Sequence, residues 1–285
     1  SSATSNTAIF TPATSGTYTL TWSTSNGVCA ASTDVVVITV NPLPIAPTMT
    51  PTSATICAGN STGLAASSAN VPAVFTGGSF TLPALSGNST PYPSAIVVSG
   101  LPVTGVTVSS VTLNGVTHAN PDDIDMLLRS PSGTNVVLMS DVGGSGDIVG
   151  NSYVIQDGAS SFSDGGTNAS GTYAATNIGA SDDYPSPGPG TISQTTPALS
   201  MFTGNANGTW NIYTRDDGVN LQGGSITSWS IIFSVPMAYS WAPASVSPTN
   251  TASVTATPAG TTTYTVTVTH PATGSQNTNT VMVSV

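Results

Sequence analysis

Positive charge is almost missing from this chain. Lys and Arg together number 2 against 12 acidic residues, a formal net charge of −10, and every acidic residue is an aspartate. So few cations cannot neutralise phosphates, which disfavours nucleic acid as a partner and anionic membrane surfaces for the same reason. Long apolar runs are missing too. None approaches the roughly 20 residues that span a bilayer, so no membrane insertion is expected. Cysteine and histidine occur twice each and no Cys-x-x-Cys is present, which leaves no credible zinc site. There is no Met and no signal peptide at Ser1, and the chain is expected to be an excerpt of a longer polypeptide.

What is there is β-forming. Apolar residues come in short alternating runs rich in Val, Ile and Thr. Charged residues make up only 5%, and Thr, Ser, Asn and Gly take their place between the runs. This is the composition of an all-β extracellular protein of two or three domains. In residues 1–42, Ala8-Ile-Phe-Thr-Pro, Gly16-Thr-Tyr-Thr-Leu-Thr-Trp-Ser and Val35-Val-Val-Ile-Thr-Val read as three strands, with a turn at Asn26-Gly27. Three strands cannot close a sandwich, which needs about seven, so upstream sequence or another chain is expected to complete this part. Residues 43–50 follow Asn41-Pro as a Pro-rich linker.

The most informative stretch runs from His118 to Phe233. It begins His118-Ala-Asn-Pro-Asp-Asp-Ile-Asp-Met-Leu-Leu and continues Arg129-Ser-Pro-Ser-Gly-Thr, then Val136-Val-Leu-Met. Alternation on either side of a Pro/Gly turn reads as a hairpin. Later come Gly208-Thr-Trp, Asp216, and Gly224-Ser-Ile-Thr-Ser-Trp229. This ordered set resembles the P domain (P/Homo B domain) that follows the catalytic domain of subtilisin-like proprotein convertases. The family pattern is a His, Asp-Leu, Ser-Pro-x-Gly-Thr, Gly-Thr-Trp, an Asp six residues on, and Gly-Thr-Leu-x-Ser-Trp. The segment Tyr173 to Gln194 departs from it, being longer and richer in Pro and Gly.

The flanking pieces resemble a different family. Ile56-Cys-Ala-Gly, Tyr239-Ser-Trp-Ala-Pro and Thr263-Tyr-Thr-Val-Thr-Val are similar to Ig-like, PKD-type repeats of giant secreted surface proteins in gliding, type IX-secreting bacteria. The resulting fold expectation is all-β: Ig-like β-sandwiches with an inserted jelly-roll-like P domain. Residues 1–42 form a partial sandwich. Residues 51–68 and 236–285 form a discontinuous second sandwich, and 69–235 form the insert. Insertion at a loop tip is the tolerated kind. The repeat resemblance implies that Cys29 pairs upstream of Ser1, while the place where Cys57 would find a partner, between His270 and Asn279, holds no cysteine. A Cys29–Cys57 bridge needs Cα atoms within roughly 7 Å, yet the strands flanking the linker carry the two apart at about 3.3 Å per residue. The two are expected not to be bridged to each other.

Aspartates are the candidate functional residues. Asp122, Asp123 and Asp125 sit at a strand start, and Asp141, Asp147, Asp157, Asp216 and Asp217 fall in loops that the P-domain resemblance brings near one another. Carboxylates on turns suit Ca²⁺, which takes 6–8 oxygens, and P-domain relatives often hold calcium here. The expected ligands are Asp122, Asp123, Asp147, Asp157, Asp216 and Asp217; the bland reading is that Asp serves as a turn residue. His118 could look catalytic beside Asp123, but no Gly-x-Ser-x-Gly accompanies it, and the family His is structural, so no catalytic residue is expected. Trp22, Trp210, Trp229 and Trp241 are expected in cores rather than stacked on sugars. Sequons stand at Asn60, Asn88, Asn168 and Asn207, relevant only in a host that glycosylates asparagine.

The functional expectation is a non-catalytic extracellular segment of a cell-surface adhesin or filament. Its sandwiches act as spacers that present a calcium-stabilised module. Its partners would be neighbouring repeats or neighbouring subunits, and a surface or glycan ligand whose identity does not follow from sequence. Two alternatives stand: the accessory C-terminal region of a secreted subtilisin-like protease, and a polymerising fibre subunit completed by strand donation.

Overall fold

A computed structural model describes residues 9–14, 16–25, 30–40, 43–179, 181–219, 222–271 and 273–285. The described residues are almost entirely strand, turn and loop, with two short 3-10 turns at Pro121–Asp123 and Leu199–Met201. The fold class is all-β sandwich. The chain separates into two compact units: 1–69 with 237–285, and 70–236.

In the first unit, two four-stranded sheets face one another. One runs in the order Ala238–Ala242, Thr262–Thr269, Gln276–Ser284, Ser53–Thr55. The other runs Val246–Ser247, Ser253–Ala256, Thr62–Ser67, Thr48–Thr50. Strands from before residue 69 thus pair with strands from after 237: Leu64 lies opposite Val254, and Ala54 runs parallel beside Val283. Alternation explains which residues meet. Tyr264, Val266, Val281 and Val283 point inward from one sheet, and Met49, Leu64, Val254 and Ala256 from the other, closing around Trp241. The indole Nε1 of Trp241 donates to the Thr251 carbonyl at 2.8 Å, which satisfies the one polar atom of a buried ring. Residues 43–69 and 237–285 contain no Asp, Glu, Lys or Arg.

The same unit holds an antiparallel hairpin, Gly16–Thr24 with Ser32–Val40. Residues 9–12, expected as a strand with Ala8, are not one. Trp22 is 42% exposed and Val35, Val36 and Val37 are exposed. A core position for Trp22 would need a facing sheet, and among the described residues the two-stranded ribbon has none paired to it. Thr48–Thr50, expected at the end of the linker, is instead a strand beside Thr62–Ser67. Cys57 is exposed and free; Cys29 and the Asn26-Gly27 turn lie outside the described residues.

Residues 70–236 form a larger sandwich. Its seven-stranded sheet centres on the long strand Thr107–His118, flanked by Ile148–Ile155 and Ser228–Val235. Its six-stranded sheet centres on Ile124–Arg129 and Gly208–Asp216. Between them lies one continuous core including Val111, Leu113, Ile124, Met126, Leu128, Ile212, Trp229 and Phe233. Trp210 and Trp229 are both buried, and their Nε1 atoms donate to the Ala206 carbonyl at 2.8 Å and to Ser94 Oγ at 2.9 Å. The first and last strands of the unit pair with each other, from Val71 opposite Val235 to Gly77 opposite Trp229.

Candidate metal centre

The strand Ile124–Arg129 is buried on both faces, which a two-layer sandwich does not by itself require. Ile124, Met126 and Leu128 enter the main core. The intervening residues Asp125 and Leu127 point the other way, as strand geometry demands, and would meet solvent. They do not, because a small hairpin, Asp182–Tyr184 with Gly190–Ile192, supplies a cover. Tyr184 packs with Leu127, Val137 and Tyr213 in a second apolar cluster, joined by the half-buried Tyr92 and Ile192. Tyr92 and Tyr213 meet edge to face at 5.2 Å.

Beside this patch three carboxylates converge. Asp125, Asp141 and Asp182 each offer an oxygen, and these atoms lie within 4.8 Å of one another. Asp125 is 3% exposed and Asp182 6%. Asp141 follows the strand Asn135–Ser140 in a left-handed conformation, φ 53°, which Asp tolerates better than most residues. Gly179 lies against it: a Cβ there would come 3.0 Å from Asp141 Oδ2. Ser140 Oγ donates to Asp125 Oδ1 at 2.8 Å. Asn177 sits opposite Ser140 in a parallel pair. Arg215 lies opposite Asp125 in the sheet register, yet its Nη1 donates to the Asp183 carbonyl at 3.0 Å and reaches the Asp183 carboxylate at 3.4 Å.

Electrostatics follow from that geometry. Burial pushes Asp125 up to about 8; the Ser140 hydrogen bond opposes this, while Asp182, Asp217 and Asp141 add to it. Burial also pushes Asp141 up to about 6, with Asp182 and Asp217 adding to it. Asp182 is raised by burial and partly relieved by hydrogen bonds from Ser140 and Asn177. Tyr184 is driven far above the ordinary phenol range by burial, then by Asp125 and Asp182. Buried carboxylates this close together need protons or a cation.

Three polar atoms here lack any hydrogen-bond partner: Asp182 Oδ2, Asn177 Oδ1 and the Tyr184 hydroxyl. Such orphans are rare in folded proteins and ask for an explanation. The available donors are all oxygens. That set fits Ca²⁺ or Mg²⁺ and lacks the nitrogen or sulfur favoured by zinc.

The six aspartates expected as ligands from sequence are not members of this trio, although Asp217 stands close enough to raise Asp125 and Asp141. Asp216 is buried and accepts from His118 Nε2 at 3.0 Å and from the Gly218 amide at 2.9 Å. Asp123 lies against Gly218, where an added Cβ would overlap its carboxylate, and its carbonyl accepts from the Asp217 amide at 3.0 Å. Asp122 is raised by burial, then by Asp164 and Asp123; Asp217 is raised by burial, then by Asp123. Asp157 accepts from the Leu199 and Ser200 amides at 2.7 and 2.8 Å, capping the 3-10 turn. Asp147 is exposed. The structure therefore brings Asp122, Asp123, Asp216 and Asp217 together, leaves Asp147 and Asp157 apart, and places none of the six in the buried trio. Asp125 and Asp141 belong to the sequence cluster. Asp182 gives one signal only, its place in the segment where the chain departs from the P-domain pattern.

His118 is 1% exposed. Its Nε2 is held by Asp216, and its Nδ1 faces the Asn120 carbonyl at 2.7 Å and amide at 3.1 Å. Neither nitrogen is left to take a proton from a nucleophile.

No family model matches this chain. No curated protein matches it either. Among solved structures, the serine protease of Aeromonas sobria in complex with its chaperone is 14% identical, with a TM-score of 0.26. The alignment covers 58% of this chain and 28% of that chain. The same protease alone gives 14% identity and a TM-score of 0.24, over 57% and 28%. This chain thus spans little more than a quarter of those proteins, and likeness at that level decides neither fold nor function.

Proposed function

We propose that the chain is a non-catalytic segment of a large extracellular surface protein or filament, in which sandwich repeats act as spacers and the 70–236 unit is the part presented. The observation that carries this reading is the pairing of the unit's first and last strands, with Val71 opposite Val235. Its two ends leave side by side, as those of a module set into one loop of a host do. The buried, doubly bonded His118 supports a structural rather than catalytic role for the one His–Asp pair described in that unit. Calcium belongs to the proposal as the ion that stiffens the presented unit. The resemblance of His118, Asp123-Ile124, Ser130 to Thr134, Gly208 to Trp210 and Gly224 to Trp229 to the P domain supports an extracellular setting.

The test is surface shaving. Intact source cells are treated with protease, and released peptides are read by mass spectrometry beside the full reading frame. Peptides from 70–236 released before lysis, from a polypeptide of tandem sandwich repeats, support the reading. A subtilisin-type catalytic domain in the same polypeptide would replace it with the accessory-tail reading. The exposed Val35–Val37 ribbon favours a fibre instead if a second chain is found paired to it.

A further inference from the structure

We propose that Asp125, Asp141 and Asp182 are the carboxylate ligands of a bound divalent cation of the calcium class, and that this ion fastens the 182–192 hairpin over the Leu127–Tyr213 face of the six-stranded sheet. The inference rests on the calcium part of the reading above and assigns it a place and a task.

The convergence of carboxylates is one observation. The second is independent of it: the Tyr184 hydroxyl, on a fully buried residue, has no hydrogen-bond partner, and the three aspartates are among the charges it feels most. The Asn177 side-chain oxygen is a further unpartnered acceptor on the strand beside Ser140. With three carboxylates, an amide oxygen and a phenolic oxygen, plus water, the site approaches the 6–8 oxygens that Ca²⁺ takes. Mg²⁺ keeps more of its water and a stricter octahedron, which suits a partly dry pocket less well. No arginine is seen to hydrogen-bond the trio. Of the chain's two arginines, Arg215 is turned to Asp183 and Arg129 to Asn135.

The task follows from which segments meet. Asp125 lies on the central sheet, Asp141 just beyond its neighbouring strand, and Asp182 opens the hairpin. Otherwise the hairpin is held by the small Tyr184 cluster, by Arg215 on Asp183, by Tyr92 Oη donating to the Pro185 carbonyl at 3.2 Å, and by the neutral-donor hydrogen bonds of Ser140 and Asn177 to Asp182. An ion bridging Asp182 to Asp125 and Asp141 adds the one strong tie at the hairpin's base. Without it, the carboxylates must take up protons to stay together, and the base loses its tie as pH rises.

Calcium titration by calorimetry and hydrogen exchange of the whole chain, with and without calcium, tests this. Asp141→Asn is the main variant, because Asn accepts the left-handed conformation and the position is half-buried, so the fold is retained. Asp182→Asn is the second, and Asp147→Asn and Asp157→Asn are controls. The expected result is one calcium per chain. Both site variants should bind about tenfold or more weakly, and both controls as wild type. Amides of 182–192 should gain protection on adding calcium in the wild type and not in Asp141→Asn. Wild-type affinity in both site variants overturns the proposal. If affinity is instead lost in Asp123→Asn, calcium stands and this location falls. No binding at millimolar calcium removes both.

Discussion

Without a cation, the 70–236 unit should grow less stable as pH rises from mildly acidic to mildly basic, and Asp125→Asn should abolish most of that trend. Asp125 is 3% exposed, and burial lifts its pKa from 3.8 to about 8 in the folded chain. Below about pH 4 the carboxyl is neutral in folded and unfolded chains alike, and its burial costs little. As pH climbs, the unfolded chain ionises first, so the folded form loses ground until the folded pKa is passed. At about 1.4 kcal/mol per unit, the loss approaches ~6 kcal/mol at the ionised limit, a large share of the 5–15 kcal/mol typical of a domain. Asp141, raised to about 6, pushes in the same direction. Asparagine at 125 keeps an oxygen for the Ser140 hydroxyl and cannot ionise. The assay is urea unfolding in chelator at pH 5 and pH 8, followed by the fluorescence of the buried Trp210 and Trp229. Wild type should lose roughly 4–6 kcal/mol between the two pH values and Asp125→Asn roughly 1–2, the share that Asp141 keeps. Parallel losses in the two proteins would refute the reasoning.

Asp157→Ala should cost about 1 kcal/mol through loss of the cap on Leu199–Met201, with calcium affinity unchanged, read by urea unfolding and calorimetry. Gly77→Ala places a Cβ against Trp229 Nε1 and 3.0 Å from Ile96 Cγ1; overpacking of this kind should cost about 1–3 kcal/mol, seen as a lower melting temperature. His118→Ala strips the buried Asp216 of its partner and should cost about 3–5 kcal/mol in chemical denaturation, whereas Cys57→Ser, at an exposed free thiol, should stay within about 0.5 kcal/mol.

Strand content and the inward tryptophans were legible because they depend on short-range alternation. Tyr264, Val266 and Val268 alternate with threonines and are buried; Trp210, Trp229 and Trp241 sit in such runs and are buried too. Trp22 sits in a similar run, yet it is exposed, because alternation says which side a residue faces and not whether anything lies there. The aspartates show the same limit more sharply. Asp157 stands in a turn and turns out to cap, a role its spacing does not announce, since its partners Leu199 and Ser200 lie 42 and 43 residues on. Asp182 meets Asp125 only because a Pro- and Gly-rich excursion folds back across a sheet face. Nothing in that excursion's local pattern says which strand it will cover.

The adjacency of Val71 and Val235 has an evolutionary corollary. A cassette whose doorways stand side by side can be lengthened, trimmed or exchanged while the frame around it keeps its own register. Selection on what the cassette touches is then uncoupled from selection on the frame, and cousins of this chain should differ far more between residues 70 and 236 than in the uncharged strands on either side.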